Sequence, residues 1–398
     1  MRLPSGLAFL CLFLIPVAAA ATTPAYIVID ANGGRILAQH NSGKPAFPAS
    51  VTKLMTAYVT FAALKTGRIK LTSPVTESAN AQAEPPSKMG FPIGTVMTLD
   101  NALKMMLVHS ANDIAVAVGE AVGGSEARFV AEMNAAARAL GMNGTHFENP
   151  NGLPDDQHFT TARDLAVLSR ALWLDFPEYR PYLGIPAIKA GRRILRSQNI
   201  LLDRYRGANG MKTGFTCAAG YNMVASATRN GRTLIVVVLG ADSSKQRAET
   251  AAKLLNGGFA GIGGSVGNLA GYRGEGSGGA PANLHDAVCK RHAPSEEDDA
   301  SLTGTSLDPP FAVMAPVVVT TGGADPGSST VAAGVDPAPI VVNSPSAADL
   351  SRAKRVPLPR LRPHLPGTGA ATDGGAVNFS QRFDPPDAGG KAPAALVQ

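Results

Sequence analysis

The residues that could do chemistry fall into three short clusters. Ser50-Val51-Thr52-Lys53 sets a hydroxyl and an amine at i and i+3 on a predicted amphipathic helix, where they share a face. A serine hydroxyl is a poor nucleophile until a base takes its proton. Lysine can be that base only if burial or a second cation lowers its pKa. Amides of the helix's first turn add positive potential where an oxyanion would develop. Alone, the pair reads more plainly as a helix cap with a solvated lysine behind it. Ser351-Arg-Ala-Lys354 has the same spacing but runs into Val356-Pro357 with no apolar helix after it, and is set aside.

The second cluster is Ser-x-Asn, which occurs at Ser78-Ala-Asn80, Ser110-Ala-Asn112 and Ser197-Gln-Asn199. Ser110 stands at a break between two strongly apolar stretches, residues 99–108 and 114–122, which would hold a polar turn rigidly at a cleft wall. There its hydroxyl could relay a proton to a leaving amine, and the Asn112 amide could bind a peptide carbonyl. Ser78 reads as surface loop before Glu84-Pro85-Pro86, and Ser197 as the lead into a strand. The third cluster, Lys212-Thr213-Gly214, approaches a strong hairpin; Lys65-Thr66-Gly67 is its decoy at a helix end. On an edge strand, Lys212 and Thr213 could hold a carboxylate, Lys212 would depress the pKa of Lys53, and Gly214 would let two backbones meet.

The elements that must position these clusters are legible in outline. Tyr26-Ile-Val-Ile-Asp30 and Arg35-Ile-Leu-Ala-Gln39 flank Asn32-Gly33-Gly34, and a second hairpin surrounds Asn230-Gly231, a pair suited to a type I′ turn. Between the hairpins the apolar period is helical: Val51, Leu54, Met55, Tyr58, Val59 and Ala62, then residues 99–108, 114–122, 126–140 and 161–172. Residues 245–255 form a last helix ending before Gly257-Gly258. The expected fold is therefore α+β, one antiparallel sheet built from both ends of the domain with an inserted helical lobe.

Composition divides the chain. Gly and Pro together make about 26% of residues 261–398, counted as 20 Gly and 16 Pro, at the low-complexity threshold. With Tyr272, Phe311, Phe379 and Phe383 its only aromatic residues from Tyr272 onward, that segment is expected to be a mostly disordered tail. Residues 1–21 read as an export signal: Arg2, an apolar run from Leu7 to Val17, then Ala18-Ala-Ala-Ala21. Residues 22–260 are left as the folded domain. Export removes Cys11 and leaves Cys217 and Cys289, for which a disulfide is the simplest expectation in an oxidising compartment. The net charge of +6 is small for this length and no basic stripe stands beside aromatics, so no nucleic-acid partner is expected.

The ordered set Phe47-Pro-Ala-Ser50-Val-Thr-Lys53-Leu-Met-Thr56, Leu107-Val-His-Ser110-Ala-Asn112-Asp113, Asn149-Pro-Asn-Gly-Leu153, Thr160-Thr-Ala-Arg-Asp-Leu165 and Gly210-Met-Lys212-Thr-Gly214 through Gly220-Tyr-Asn-Met-Val-Ala-Ser226 resembles the low-molecular-weight D-alanyl-D-alanine carboxypeptidases. The resemblance covers roughly residues 25–258. It implies a β-lactamase/transpeptidase-like fold and a serine acyl-enzyme peptidase that acts on peptidoglycan stem pentapeptides, with β-lactams as covalent inhibitors and no cofactor. It makes Ser50 the nucleophile, Lys53 its proton acceptor and Ser110 a proton relay. Asn112, Lys212, Thr213 and Gly214 would bind substrate, and the Ser50 and Phe215 amides would form the oxyanion hole. The expected location is the periplasm or cell envelope, soluble or loosely held at the membrane. The second all-β domain and terminal amphipathic helix of some family members find no counterpart after Gly258, so attachment by that route is not expected. The basic, polyproline-like run Arg352-Ala-Lys-Arg-Val-Pro-Leu-Pro-Arg-Leu-Arg-Pro363 is a candidate for weak contact with wall or lipid, although a solvated linker is the simpler reading. Two rivals stay open: a D,D-endopeptidase cutting cross-links with the same residues, and a non-catalytic penicillin- or wall-binding module. A zinc peptidase has little support, because no H-E-x-x-H occurs.

Overall fold

The computed structural model of the chain describes residues 23–262, 264–290, 307 and 315–324. The first hairpin forms as its turn residues require: β1 (Ala25–Asp30) and β2 (Arg35–His40) pair antiparallel, and Asp30 Oδ1 accepts from the Asn32 and Gly33 amides at 3.1 and 3.0 Å. The helical lobe then runs through α1 (Lys53–Lys65), a small ribbon of β3 (Pro74–Thr76) and β4 (Val96–Thr98) flanking α2 (Ala79–Ala83), and α3 (Leu99–Val108), α4 (Asn112–Gly123), α5 (Glu126–Ala139) and α6 (Ala162–Asp175). After α7 (Arg180–Leu183), β5 (Ala187–Ala190), β6 (Arg193–Arg196) and α8 (Leu201–Arg204), the chain returns to the main sheet as β7 (Ala208–Thr216), β8 (Gly220–Arg229) and β9 (Arg232–Ala241). The α9 helix (Ser244–Ala260), β10 (Gly267–Asn268) and β11 (Val317–Val319) follow.

The main sheet is antiparallel in the order β10-β2-β1-β9-β8-β7, so both ends of the domain meet at β1 and β9. Helices cover both faces, which explains why β9 is apolar at successive positions rather than alternating. Ile235, Val237 and Leu239 belong to the large core shared with the helical lobe, whereas Leu234, Val236 and Val238 pack in the smaller core beneath α9. Asn230 and Gly231 have φ of 49° and 76°, as the type I′ turn between β8 and β9 requires.

Two helix expectations need correction. The α1 helix is not amphipathic: every residue from Lys53 to Phe61 is buried. Its threonines, four apart, spend their hydroxyls inside the protein, Thr56 Oγ1 donating to Pro150 O at 2.6 Å and Thr60 Oγ1 to Thr56 O at 2.7 Å. The α9 helix also does not stop before Gly257-Gly258 but runs through both to Ala260, with Gly261 at φ 74° as its cap. A Cβ on Gly258 would lie 2.8 Å from Leu234 Cδ1, so this glycine serves close helix–sheet approach rather than termination.

Part of the segment expected to be tail is ordered. Residues 269–289 form a strap, in which Gly43 N donates to Glu275 O at 2.7 Å, Arg163 Nε to Tyr272 O at 2.9 Å, and Leu284 N to Ala218 O at 2.9 Å. Leu269 and Val288 are buried. A disulfide joins Cys217 to Cys289, with Cα atoms 5.6 Å apart. A further ordered piece, β11, adds to β5 in parallel and buries Val319. The signal-like residues, the basic polyproline-like run and Ser351-Arg-Ala-Lys354 lie outside the described residues. Among the described residues no helix is long and apolar enough to cross a membrane. The cross-link closes a separation of 72 residues, which in the chain-entropy account stabilises by about 4 kcal/mol. Reduction should therefore lower the melting temperature by roughly 10 °C. An unchanged transition in a sample whose two thiols titrate as free would refute this.

Candidate active site

The described residues place the three clusters around one cleft. Ser50 lies not on α1 but in the 3-10 turn Ala49–Thr52 that leads into it, so the pair spans a turn and the first helical residue. Lys53 is fully buried, and its Nζ donates to Ser50 Oγ at 3.0 Å, to Asn112 Oδ1 at 2.7 Å and to Asn151 O at 2.6 Å. Opposite, Lys212 Nζ donates to Ser110 Oγ at 2.9 Å and to Thr213 O at 3.0 Å. Ser110 occupies the break between α3 and α4 at φ 64°, and Ala49, next to Ser50, sits at φ 50°. Two non-glycine residues held in the left-handed region at the Ser50 and Ser110 hydroxyls are strain of the kind that folds retain at sites.

The β7 strand is an edge of the main sheet and carries Lys212, Thr213, Gly214 and Phe215 against the Ser50 turn. A Cβ on Gly214 would stand 2.9 Å from both Pro48 O and Ser50 N, so only glycine allows this approach. The contact brings Gly214 beside the Ser50 amide. Asn112 is partly engaged within the protein: its Oδ1 accepts from Lys53 and its Nδ2 donates to Pro85 O at 2.9 Å, which leaves one N–H on that nitrogen. The decoys fall where they can do none of this. Ser78 caps α2 by accepting from Ala81 N, Ser197 follows β6 instead of leading a strand, and Lys65-Thr66-Gly67 ends α1.

Electrostatics separates the two lysines. Burial holds Lys53 well below the ordinary lysine value, and the neighbouring Lys212 lowers it further, against Asp113 and Glu84. Burial and then the Arg247 guanidinium bring Lys212 down to about 7. Arg247 comes from α9, is almost wholly buried, and donates to Gln198 O at 3.3 Å.

Several contributors carried no assigned role in the sequence reading. Asn151 supplies a carbonyl to Lys53. A Cβ on Gly152, at φ 88°, would fall 1.9 Å from Ala49 O, so this loop lies directly on the Ser50 turn. His158 Nε2 meets Thr52 Oγ1 at 2.9 Å, and Asn222 Nδ2 holds Phe47 O and Pro48 O at 2.9 and 3.0 Å. Asp113 accepts from the Met89 and Gly90 amides at 3.1 and 2.8 Å, fixing the loop whose Pro85 carbonyl holds Asn112. The motif stretches containing Asn151, Asp113 and Asn222 were visible in sequence. Arg247 gave no local signal, because only the fold of α9 onto β8 brings it to Lys212.

An antiparallel sheet closed by both ends of the domain, with a Ser–Lys pair between sheet and helical lobe, defines the β-lactamase/transpeptidase-like fold. Within it, the chain belongs to the D-alanyl-D-alanine carboxypeptidase family, peptidase family S11, whose profile matches residues 15–243. It is 37% identical over 253 residues to D-alanyl-D-alanine carboxypeptidase DacA of Escherichia coli strain K12, the match covering 62% of this chain and 63% of that protein. Against DacB2 of Mycobacterium tuberculosis it is 33% identical over 220 residues, 54% of this chain and 73% of the relative. Among solved structures it is similar to penicillin binding protein 5 from Haemophilus influenzae, with a TM-score of 0.58 at 35% identity over 61% of this chain and 72% of that one. It is also similar to penicillin-binding protein D2 from Listeria monocytogenes in its cefotaxime-bound form, with a TM-score of 0.54 at 31% identity over 59% of this chain and 96% of that one. The chain thus spans about 63% of the length of the Escherichia coli relative.

Proposed function

We propose that the protein is a serine-type D-Ala-D-Ala carboxypeptidase that removes the terminal D-alanine from peptidoglycan stem pentapeptides and is acylated by penicillins. The observation that carries this reading is the buried Lys53 amine 3.0 Å from Ser50 Oγ, its pKa lowered so that it can accept a proton. Neutral Lys53 takes the Ser50 proton as Oγ attacks the carbonyl of the penultimate D-alanine. Negative charge on that oxygen is met by the Ser50 and Phe215 amides. Charged Lys212, with Thr213, holds the terminal carboxylate, and the Asn112 N–H left over takes a peptide carbonyl. Ser110, hydrogen-bonded to Lys212, passes its proton to the departing D-alanine nitrogen as the C–N bond breaks and is reprotonated by the proton Lys53 took from Ser50, which returns Lys53 to neutral. Water then hydrolyses the Ser50 ester, releasing the shortened stem and restoring the hydroxyl.

A wall substrate, the export-like N-terminus and the Cys217–Cys289 disulfide agree on a protein working outside the cytoplasm, in the periplasm or cell envelope. A purely binding role would not need a buried amine against the nucleophile, since burying an amine without use is costly. The test is release of free D-alanine from a synthetic pentapeptide stem by the purified protein. Cleavage of cross-linked dimers with the pentapeptide left intact would instead favour the endopeptidase.

A further inference from the structure

The hairpin of β5 and β6 is charged in one sense only. Residues 184–202 hold four cations, Lys189, Arg192, Arg193 and Arg196, and no Asp or Glu, in a chain whose net charge is only +6. All four are exposed, and among the described residues none of them is in an ion pair. The β5 strand is the middle of a small sheet, with β6 on one side and β11 on the other.

Register decides which side chains share a face. Val318 pairs with Lys189 and Lys189 with Ile194, so the three form one row across the sheet, at about 4.8 Å per strand. Arg196, two residues on from Ile194, lies on the same side. The neighbouring rows turn inward, where Ile188 and Val319 are buried in the core. The outward row thus stands on a packed sheet, yet Ile194 is 54% and Val318 63% exposed. Aliphatic residues exposed singly are ordinary. Here two flank a lysine in one row, with Arg192 and Arg193 at the hairpin's tip and Arg196 beside them. A hydrophilic polyanion gains nothing from the two aliphatics. A lipid interface uses both parts: branched side chains sink into the acyl boundary, and the lysine stem lies among them while its ammonium reaches phosphate.

We propose that this face is a docking surface for an anionic phospholipid membrane, with Ile194 and Val318 entering the interface and Lys189, Arg192, Arg193 and Arg196 meeting headgroup phosphates. It belongs to the folded domain, uses none of the residues around Ser50, and does not depend on the peptidase reading.

The experiment is co-sedimentation of the full chain with vesicles of phosphatidylcholine alone, or of phosphatidylcholine and phosphatidylglycerol in equal parts. Wild type should prefer the mixed vesicles, and the preference should shrink as salt is added. In Lys189→Gln/Arg196→Gln, partitioning into mixed vesicles should weaken about 25-fold, at about fivefold per cation. Ile194→Ser/Val318→Ser should lose about tenfold with the charge unchanged. Melting transitions recorded alongside should stay within a few degrees of wild type, as for other surface substitutions. Equal binding of wild type to both vesicles overturns the proposal. So does a preference that Lys189→Gln/Arg196→Gln leaves intact but that neutralising the basic run of residues 352–363 removes. Undiminished binding by Ile194→Ser/Val318→Ser would make the face a site for a hydrophilic wall polyanion, which overturns the lipid assignment. A preference that appears only once Glu296-Glu-Asp-Asp299 is neutralised would give the face to that acidic run of the chain itself, and overturns it too.

Discussion

Ser50→Ala will abolish covalent labelling by a fluorescent penicillin and lower D-alanine release by roughly 10⁴-fold or more, because no other group can carry the acyl intermediate. The loss should be chemical rather than structural. Ser50 Oγ accepts one hydrogen bond from Lys53, whose amine keeps Asn112 Oδ1 and Asn151 O as partners after the change. A single neutral acceptor removed at a partly open site costs about 1 kcal/mol, small against a domain's stability. The variant should melt within a few degrees of wild type. Labelling that persists undiminished would remove Ser50 from the mechanism.

Lys53→Arg should lower the acylation rate by about 10³-fold, since a guanidinium keeps a cation in place but cannot take a proton near neutrality. The pH profile separates this from a packing effect. With Lys53 as the proposed base, its neutral form is the active one, so kcat/KM of wild type should climb as pH rises through its lowered pKa. Lys212 must be charged to hold the carboxylate, and its value of about 7 in the free protein makes kcat/KM fall as pH rises past that point. In Lys53→Arg the climbing limb disappears. The falling limb persists and moves to lower pH, because a permanent neighbouring cation depresses Lys212 further. Stopped-flow acylation across the neutral range reads both limbs, and a variant retaining the climbing limb would show that another group is the base.

The fold was legible where local chemistry is strong. Asn32-Gly33-Gly34 and Asn230-Gly231 marked both hairpins, and the apolar run of residues 99–108 coincides with α3. It was misread where burial is two-sided: α1 shows apolar spacing on one face, but Thr56 and Thr60 are inside too, satisfied by Pro150 O and Thr56 O. Glycine was ambiguous for a similar reason. Gly257-Gly258 signals a helix end to a reader of local rules, whereas the side chains of Leu234, Leu37 and Val28 make Gly258 a point of contact. The compositional break near residue 260 did not predict the strap, because a few anchors, Leu269, Val288 and Cys289, hold it without a continuous apolar pattern.

By itself the sequence determined which groups could react, since hydroxyl, amine and carboxylate-binding residues are properties of side-chain type and local spacing. It could rank Ser110 above Ser78 and Ser197, and Lys212 above Lys65, from the elements around them. Only the tertiary structure decided their powers. The pKa of Lys53 depends on being sealed among α1, α4 and the Asn151 loop, and that of Lys212 on an arginine from a helix that follows the sheet. The row of Val318, Lys189 and Ile194 is likewise completed by β11, a distant strand that joins β5 only in the fold. Desolvation and charge proximity act through space, and no pattern along the chain encodes those distances.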